Sequence, residues 1–258
     1  LDYQKVQEHI VDWLSVYLNK SGMDGYIVGV SGGIDSAVTS TLCALTGKKI
    51  ILLNMPILQT KAEYQRACEH IEDLKNRFST IVALEIDLTN VFTTFQEALP
   101  KDTVQDALSM ANSRSRLRMT TLYAVGQANR CLVAGTGNKV EDFGVGFFTK
   151  YGDGGVDVSP IADLFKTEVY ALGKQLGVVK SILEAKPTDG LWEDGRSDED
   201  QLGASYAELE WAMEFNGDKS TLTKRQLEVL VIYDRFHRAN THKMVPIPVC
   251  SIPIELKK

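Results

Sequence analysis

Long apolar runs are missing from this chain: none of its 258 residues starts a stretch able to span a bilayer, so neither a membrane-embedded function nor a membrane partner is expected. Cysteine and histidine are scarce, at four each. Cys43, Cys68, Cys131 and Cys250 form no CxxC pair, and His9, His70, His237 and His242 form no HExxH or HxxxH pair, so no zinc site is expected. Cys43 and Cys131 fall in apolar segments and read as buried, reduced thiols. With the absence of a charged-then-apolar leader in "YQKVQEHIVDWLSVYL", they imply a cytoplasmic home. An excess of positive charge is lacking too. The 28 basic residues are outnumbered by 34 acidic ones, which argues against a nucleic-acid partner. There is no internal repeat and no separating linker, so residues 1–258 read as one domain.

What is present is alternation. "YIVGV", "KKIILLNMP", "TIVALEID" and "RCLVAGTG" read as short buried strands, the second stopped by Pro56. Between and after them lie helical stretches: residues 3–19, "SAVTSTLCALTG" closed by Gly47, 61–78, 88–99 and 112–128. Later come "FKTEVYALGKQLG", "ASYAELEWAMEF" and 222–238. Strand–helix repetition of this kind predicts an α/β class, with a doubly wound parallel sheet flanked by helices. The glycine-rich stretch 144–155 and the acidic stretch 189–200 read as mobile loops, able to close over a ligand or else plainly disordered with no part in catalysis.

The first strand runs into "GVSGGIDS". Gly29, Gly32 and Gly33 would let an anion approach backbone amides at a helix start, and Ser31 and Ser36 add hydroxyl donors. No GK[ST] follows and the glycines miss GxGxxG, so the two commonest nucleotide loops are excluded. In place of a lysine stands Asp35. A carboxylate beside polyphosphate repels it unless a divalent cation bridges the two, and Mg²⁺ takes one or two carboxylates plus phosphate oxygens. Asp35 therefore points to a metal–pyrophosphate complex.

"SGGIDS" resembles the pyrophosphate loop of the ATP pyrophosphatase superfamily, whose members split ATP between its α and β phosphates and adenylylate a substrate. "RSRLRM" at 114–119, "GTGNKVE" at 135–141, "GFFTKYGDGGVD" at 146–157, "KPTDGLW" at 186–192, "SDEDQLGASY" at 197–206 and "THKMVP" at 241–246 narrow the resemblance. In this order they are similar to the NAD synthetase family in its ammonia-dependent form. The resemblance implies a single domain of the adenine nucleotide alpha hydrolase-like kind. It also implies an enzyme, a C–N ligase, that uses ATP, Mg²⁺ and ammonia to amidate deamido-NAD. The nicotinate carboxylate attacks the α-phosphate and releases pyrophosphate, and ammonia then displaces AMP.

Carried over position by position, Gly29, Val30, Ser31, Gly32, Gly33, Ile34, Asp35 and Ser36 form the ATP loop, joined by Thr136, Lys166 and Thr188. Asp35 and Glu141 match the metal carboxylates. Arg116, Lys150, Asp157, His242 and Lys243 match deamido-NAD contacts. Asp153 is a candidate proton acceptor, so the catalytic set is Asp35, Glu141, Lys166 and Asp153. Arg114, Arg116 and Arg118 lie two apart and fan over different helix faces; the resemblance selects Arg116. "GTGNKVE" departs from the commonest bacterial turn, and one extra residue stands between Glu141 and Gly146. That departure bears on the loop carrying Lys150 and leaves the two carboxylates undisturbed. The resemblance further implies a homodimer with the dinucleotide site at its interface, to which residues 1–18 are a candidate contributor. Two alternatives stay in view: another adenylylating enzyme, such as a tRNA thiolase, and a nucleotide sensor without turnover.

Overall fold

The apolar runs become four strands, β1 (Gly25–Gly29), β2 (Lys49–Asn54), β3 (Ile81–Glu85) and β4 (Cys131–Val133). All pair in parallel, in the order β3-β2-β1-β4. The computed structural model describes residues 1–187 and 197–257. Around the sheet, in chain order, lie α1 (Tyr3–Ser21), α2 (Ile34–Leu45), α3 (Lys61–Arg77), α4 (Thr89–Glu97), α5 (Lys101–Gln105) and α6 (Ala107–Ala128). A π-helical turn (Val140–Val145) follows β4. Then come α7 (Lys166–Gln175), α8 (Lys180–Leu183), α9 (Asp198–Leu202), α10 (Tyr206–Glu214) and α11 (Lys224–Met244).

Both faces of the sheet are covered. Tyr26, Val28, Ile50 and Leu52 pack with residues of α1, α2, α3, α7 and α8, while Ile27, Ile51 and Leu53 pack with Phe92 of α4 and Met110 of α6. Burial on both sides is why these strands read as unbroken apolar runs rather than as alternations. Tyr26, fully buried, donates its hydroxyl to the Leu14 carbonyl at 2.8 Å and so fastens α1 to the first strand. A third apolar cluster joins the π-helical turn to α9, α10 and α11. Among the described residues no helix is long and apolar enough to cross a membrane.

Several boundaries differ from the sequence reading, each for a local reason. α6 starts at Ala107 rather than 112, because the Asp106 side chain accepts from Ser109 N at 2.7 Å and caps it. α11 continues past 238 to Met244, which puts His242 and Lys243 on its last turn. The acidic stretch runs into α9, nucleated by a capping box between Ser197 and Asp200; residues 189–196 lie outside the described residues. The glycine-rich stretch 144–155 is tied down. It opens in the π-helical turn and closes in a turn where Asp153 Oδ1 accepts from Ser115 Oγ at 2.6 Å and Thr149 N at 3.0 Å. Its glycines serve close packing: a side chain at Gly152 would collide with Ser115 and Thr149.

Candidate active site

The strand order reverses between β1 and β4, the switch point at which open parallel sheets bind ligands. Two loops leave the carboxyl ends there: "VSGG" into α2, and "GTGNK" into the π-helical turn. In the first, Gly32 holds φ +86°, and a Cβ there would lie 2.5 Å from the Glu63 carbonyl, so glycine is required. Hydroxyls fix the loop. Ser36 Oγ accepts from Ser31 N at 3.2 Å and donates to the Gly33 carbonyl at 3.0 Å, and Ser31 Oγ accepts from Gly33 N at 3.2 Å. Gln59 Nε2 and Arg66 Nε each donate, at 3.1 Å, to the carbonyls of Ser31 and Gly32 respectively. Val30 N donates to the Leu53 carbonyl and Ile34 is buried in the core, so these two anchor the loop. No side chain caps the start of α2, where unpaired amides and the helix dipole favour an anion.

Asp35, Glu141 and Lys166, three residues taken from distant parts of the chain, converge here. Lys166 Nζ stands 2.6 Å from Asp35 Oδ2 and 2.9 Å from Glu141 Oε1, with the lysine side chain 4% exposed and the carboxylates 16% and 15%. Burial opposes the ammonium charge, but the two carboxylates outweigh it and hold Lys166 well above the ordinary lysine range. Burial likewise pushes both acids up. At Asp35 it prevails over Lys166, and the group ends above the carboxylate range. At Glu141 Lys166 and the Tyr206 hydroxyl prevail, and it ends below. Asn138 Nδ2 donates to Asp35 Oδ1 at 3.1 Å, while Asn138 Oδ1 accepts from the amides of Val140 and Glu141. Tyr206 donates to Glu141 Oε1 at 2.5 Å and lies 3.1 Å from Asp198 Oδ2; Lys166 Nζ sits 4.8 Å from its ring centre. Asp142, beside Glu141, lies against the Gly137 backbone, and burial with the charges of Glu141, Asp153 and Asp35 pushes it up to about 8.

Do these residues suit a divalent cation? Among the described residues no group of three or more His, Cys, Asp or Glu side chains is gathered as a metal site. Two hard carboxylates aimed at one cationic centre nonetheless match the donor set by which Mg²⁺ joins protein to phosphate.

Four more of the residues singled out in the sequence form a second group. Arg116 Nε donates to the Lys150 carbonyl at 3.2 Å, Lys150 Nζ to the His242 carbonyl at 3.0 Å, and Lys243 Nζ to the Phe148 carbonyl at 2.7 Å. Arg116, Lys150, His242 and Lys243 are thus one neighbourhood. Asp157 stands apart, its carboxylate accepting from Tyr123 Oη at 3.1 Å and Val133 N at 2.8 Å. Thr136 lies half-buried in the turn after β4, and Thr188 lies outside the described residues. Asn138, Tyr206, Asp198 and Asp142 were missed from sequence. Asn138, Tyr206 and Asp198 sit inside "GTGNKVE" and "SDEDQLGASY", but nothing in their spacing marks them as partners of Asp35 and Glu141. A shallow cavity of about 230 Å³, lined by Ala207, Trp211 and Val229 among others, contains none of these groups.

A doubly wound parallel sheet carrying an uncapped helix start and an acid–lysine cluster at its switch point defines a nucleotide-binding α/β protein. The family model described as NAD synthase matches residues 6–244, and the chain belongs to that family. It is 40% identical over 213 residues to the NH3-dependent NAD+ synthetase of Methanococcoides burtonii, covering 81% of this chain and 78% of the relative. It is 39% identical over 260 residues to the NH3-dependent NAD+ synthetase of Alkaliphilus oremlandii, covering 95% and 97%. Among solved structures, an NMN synthetase from Francisella tularensis superposes with a TM-score of 0.87 at 31% identity, covering 98% of this chain and all of that one.

Proposed function

We propose that this chain is a ligase that amidates deamido-NAD to NAD, using ATP and ammonia. The observation that carries the reading is the convergence of the "SGGIDS" carboxylate and Glu141 on Lys166 at the switch point, within a chain of the NAD synthase family. A carboxylate does not condense with ammonia unaided; attack on the α-phosphate converts it to a mixed anhydride with AMP as leaving group. The loop amides and the start of α2 would hold the pyrophosphate end of ATP, with Gly29 to Ser36 and Thr136 around it. Lys166, released from its carboxylates, would meet the charge that builds on departing pyrophosphate. Asp35 and Glu141 would hold Mg²⁺, which when bound neutralises phosphate charge and polarises the phosphoryl group. Thr188 is retained as an ATP contact on family resemblance alone.

On the acceptor side, Arg116, Lys150 and Lys243 offer the positive field that a dinucleotide pyrophosphate requires, with His242 beside them, and Asp157 is assigned to the same ligand on resemblance. Asp153 is proposed as the acceptor of the proton shed by ammonium. Burial pushes its carboxyl above the ordinary range, which favours a base working near neutrality. Unchanged amidation by Asp153→Asn across pH 7–9 would remove it from the mechanism. A homodimer is supported by apolar surface left on α1, where Trp13, Val16 and Tyr17 are exposed while Ile10, Leu14 and Leu18 face the core, and on the tail at Ile247, Val249 and Ile254. A cytoplasmic location is supported by the four unpaired cysteines.

One observation favours a second acceptor. The Francisella neighbour is an NMN synthetase, so nicotinate mononucleotide is the competing substrate for the same chemistry. The test is a mass-spectrometric assay with ATP, Mg²⁺ and ammonium chloride, offering deamido-NAD and nicotinate mononucleotide together. A glutamine arm and an Asp35→Ala control run beside it. NAD, AMP and pyrophosphate forming together, and lost in the variant, support the first reading; NMN in place of NAD supports the second. Bound ATP with neither amide formed leaves a sensor and rejects both.

A further inference from the structure

Arg118 was set aside in favour of Arg116, yet the structure places it at the more telling position. Its Nε donates to the Met55 carbonyl at 3.0 Å, just past the carboxyl end of β2. Met55 Cε lies 3.2 Å, and Leu122 Cδ1 3.5 Å, from where a Cβ on Gly29 would stand. Leu122 follows Arg118 by one helical turn, so this face of α6 looks onto the start of the phosphate loop. Ser115, on the same helix, holds Asp153 in the acceptor-side turn. Arg118 therefore stands between the nucleotide loop and the Lys150 neighbourhood.

Its charge is met by carboxylates only at a distance. Glu63, Asp153 and Arg114 are the charged groups that act on it, but among the described residues no carboxylate forms an ion pair with it. Glu63 accepts instead from Thr60 Oγ at 2.8 Å, and Asp153 is taken by Ser115 and Thr149. Arg114 adds a second positive charge. Burial, reinforced by that neighbour, pushes Arg118 down to about 10. A half-buried guanidinium whose one hydrogen bond among the described residues goes to a carbonyl leaves a planar, two-donor edge suited to carboxylate or phosphate.

We infer that Arg118 clamps the two oxyanions that meet in the first half-reaction, the acceptor carboxylate and the α-phosphate of ATP. This rests on the amidation reading above. In that step a carboxylate oxygen forms a bond to the α-phosphorus. The bond from phosphorus to the β-bridging oxygen breaks, pyrophosphate leaves with the electron pair, and no proton is transferred. Two anions must approach each other, and the guanidinium offsets their repulsion most at closest approach, so it acts on kcat more than on ATP binding.

The experiment measures ATP–pyrophosphate exchange that depends on deamido-NAD or nicotinate mononucleotide, in the wild type, Arg118→Met and Arg118→Lys. ATP–Mg²⁺ affinity and thermal melting are read alongside. Arg118→Met is expected to lose exchange about 10²-fold or more while ATP affinity changes less than about threefold. Arg118→Lys is expected to recover part of the rate, and free guanidinium to rescue Arg118→Ala. Exchange in Arg118→Met within about threefold of wild type, or a loss that only tracks a fall in melting temperature, overturns the clamp while the amidation reading stands. A wild type that binds ATP but exchanges with neither acceptor overturns both.

Discussion

The two ends proposed to take the nucleotide and the acceptor are built by opposite strategies. At the nucleotide end, charges are buried and satisfied within the protein: Asp35 and Glu141 share Lys166, and Asn138 and Tyr206 occupy further oxygens. At the acceptor end, Lys150 and Lys243 rest on backbone carbonyls, with no carboxylate partner among the described residues. On the proposed reading, the first arrangement is a preformed cage whose cation a metal would replace. The second would be a set of positive charges held ready for an anion that only the ligand supplies. Substitutions at the first should therefore unsettle the fold as well as the chemistry, and substitutions at the second should weaken acceptor binding alone.

The sharpest way to break this contrast is Lys166→Met. Removing the ammonium leaves two like charges buried together, which costs about 3–5 kcal/mol when one partner of a buried pair is lost. Activity should fall by roughly 10³-fold. The melting temperature should then rise with added Mg²⁺ more in the variant than in the wild type. A melting curve indifferent to Mg²⁺ would show that the paired carboxylates do not hold the metal.

Behind the loop, His70 tests how far the buried construction extends. It is fully buried, its Nε2 lies 2.9 Å from Ser40 Oγ on α2, and burial lowers it from 6.5 to about 4. Between those values the unfolded chain binds the proton and the folded chain does not. Its contribution to stability is complete above pH 6.5 and is lost as pH falls toward 4, reaching roughly 3 kcal/mol. Chemical denaturation from pH 7.5 to 4.5 should show this slope, and His70→Gln should flatten it.

Tyr206→Phe deletes one hydroxyl from the cage. The expected loss is about 1–2 kcal/mol of stability and about tenfold in kcat, with acceptor KM unchanged; a rise in KM instead would move Tyr206 to the acceptor side. The mildest change is Lys243→Met. It should raise acceptor KM by about tenfold through one lost charge-assisted contact, with ATP affinity untouched and stability within about 0.5 kcal/mol. Stability lost as in Lys166→Met would erase the distinction between the two ends.

Legibility followed the range of the interaction. The anion loop could be read from "VSGGIDS" because a glycine-rich turn into a helix is a property of adjacent residues. The strands could be read because burial on both faces leaves apolar runs. α9 was missed because "SDEDQL" looks like an acidic loop until Ser197 and Asp200 cap each other. Among three arginines two residues apart, nothing local separates Arg116, which donates to the Lys150 carbonyl, from Arg118, which donates to that of Met55. That difference depends on where α6 lies against the sheet.

By itself, then, the sequence determined the alternating elements, the glycine loop and the presence of an aspartate in it, since backbone conformation and hydrophobic periodicity act over a few residues. Only the tertiary structure decided that Asp35 and Lys166, 131 residues apart, would touch, with Glu141 on the same ammonium. Parallel pairing of β1 with β4 brings two separate loops to one edge of the sheet. Charges strung far apart along the chain become neighbours only there, in a place dry enough for their attraction to count.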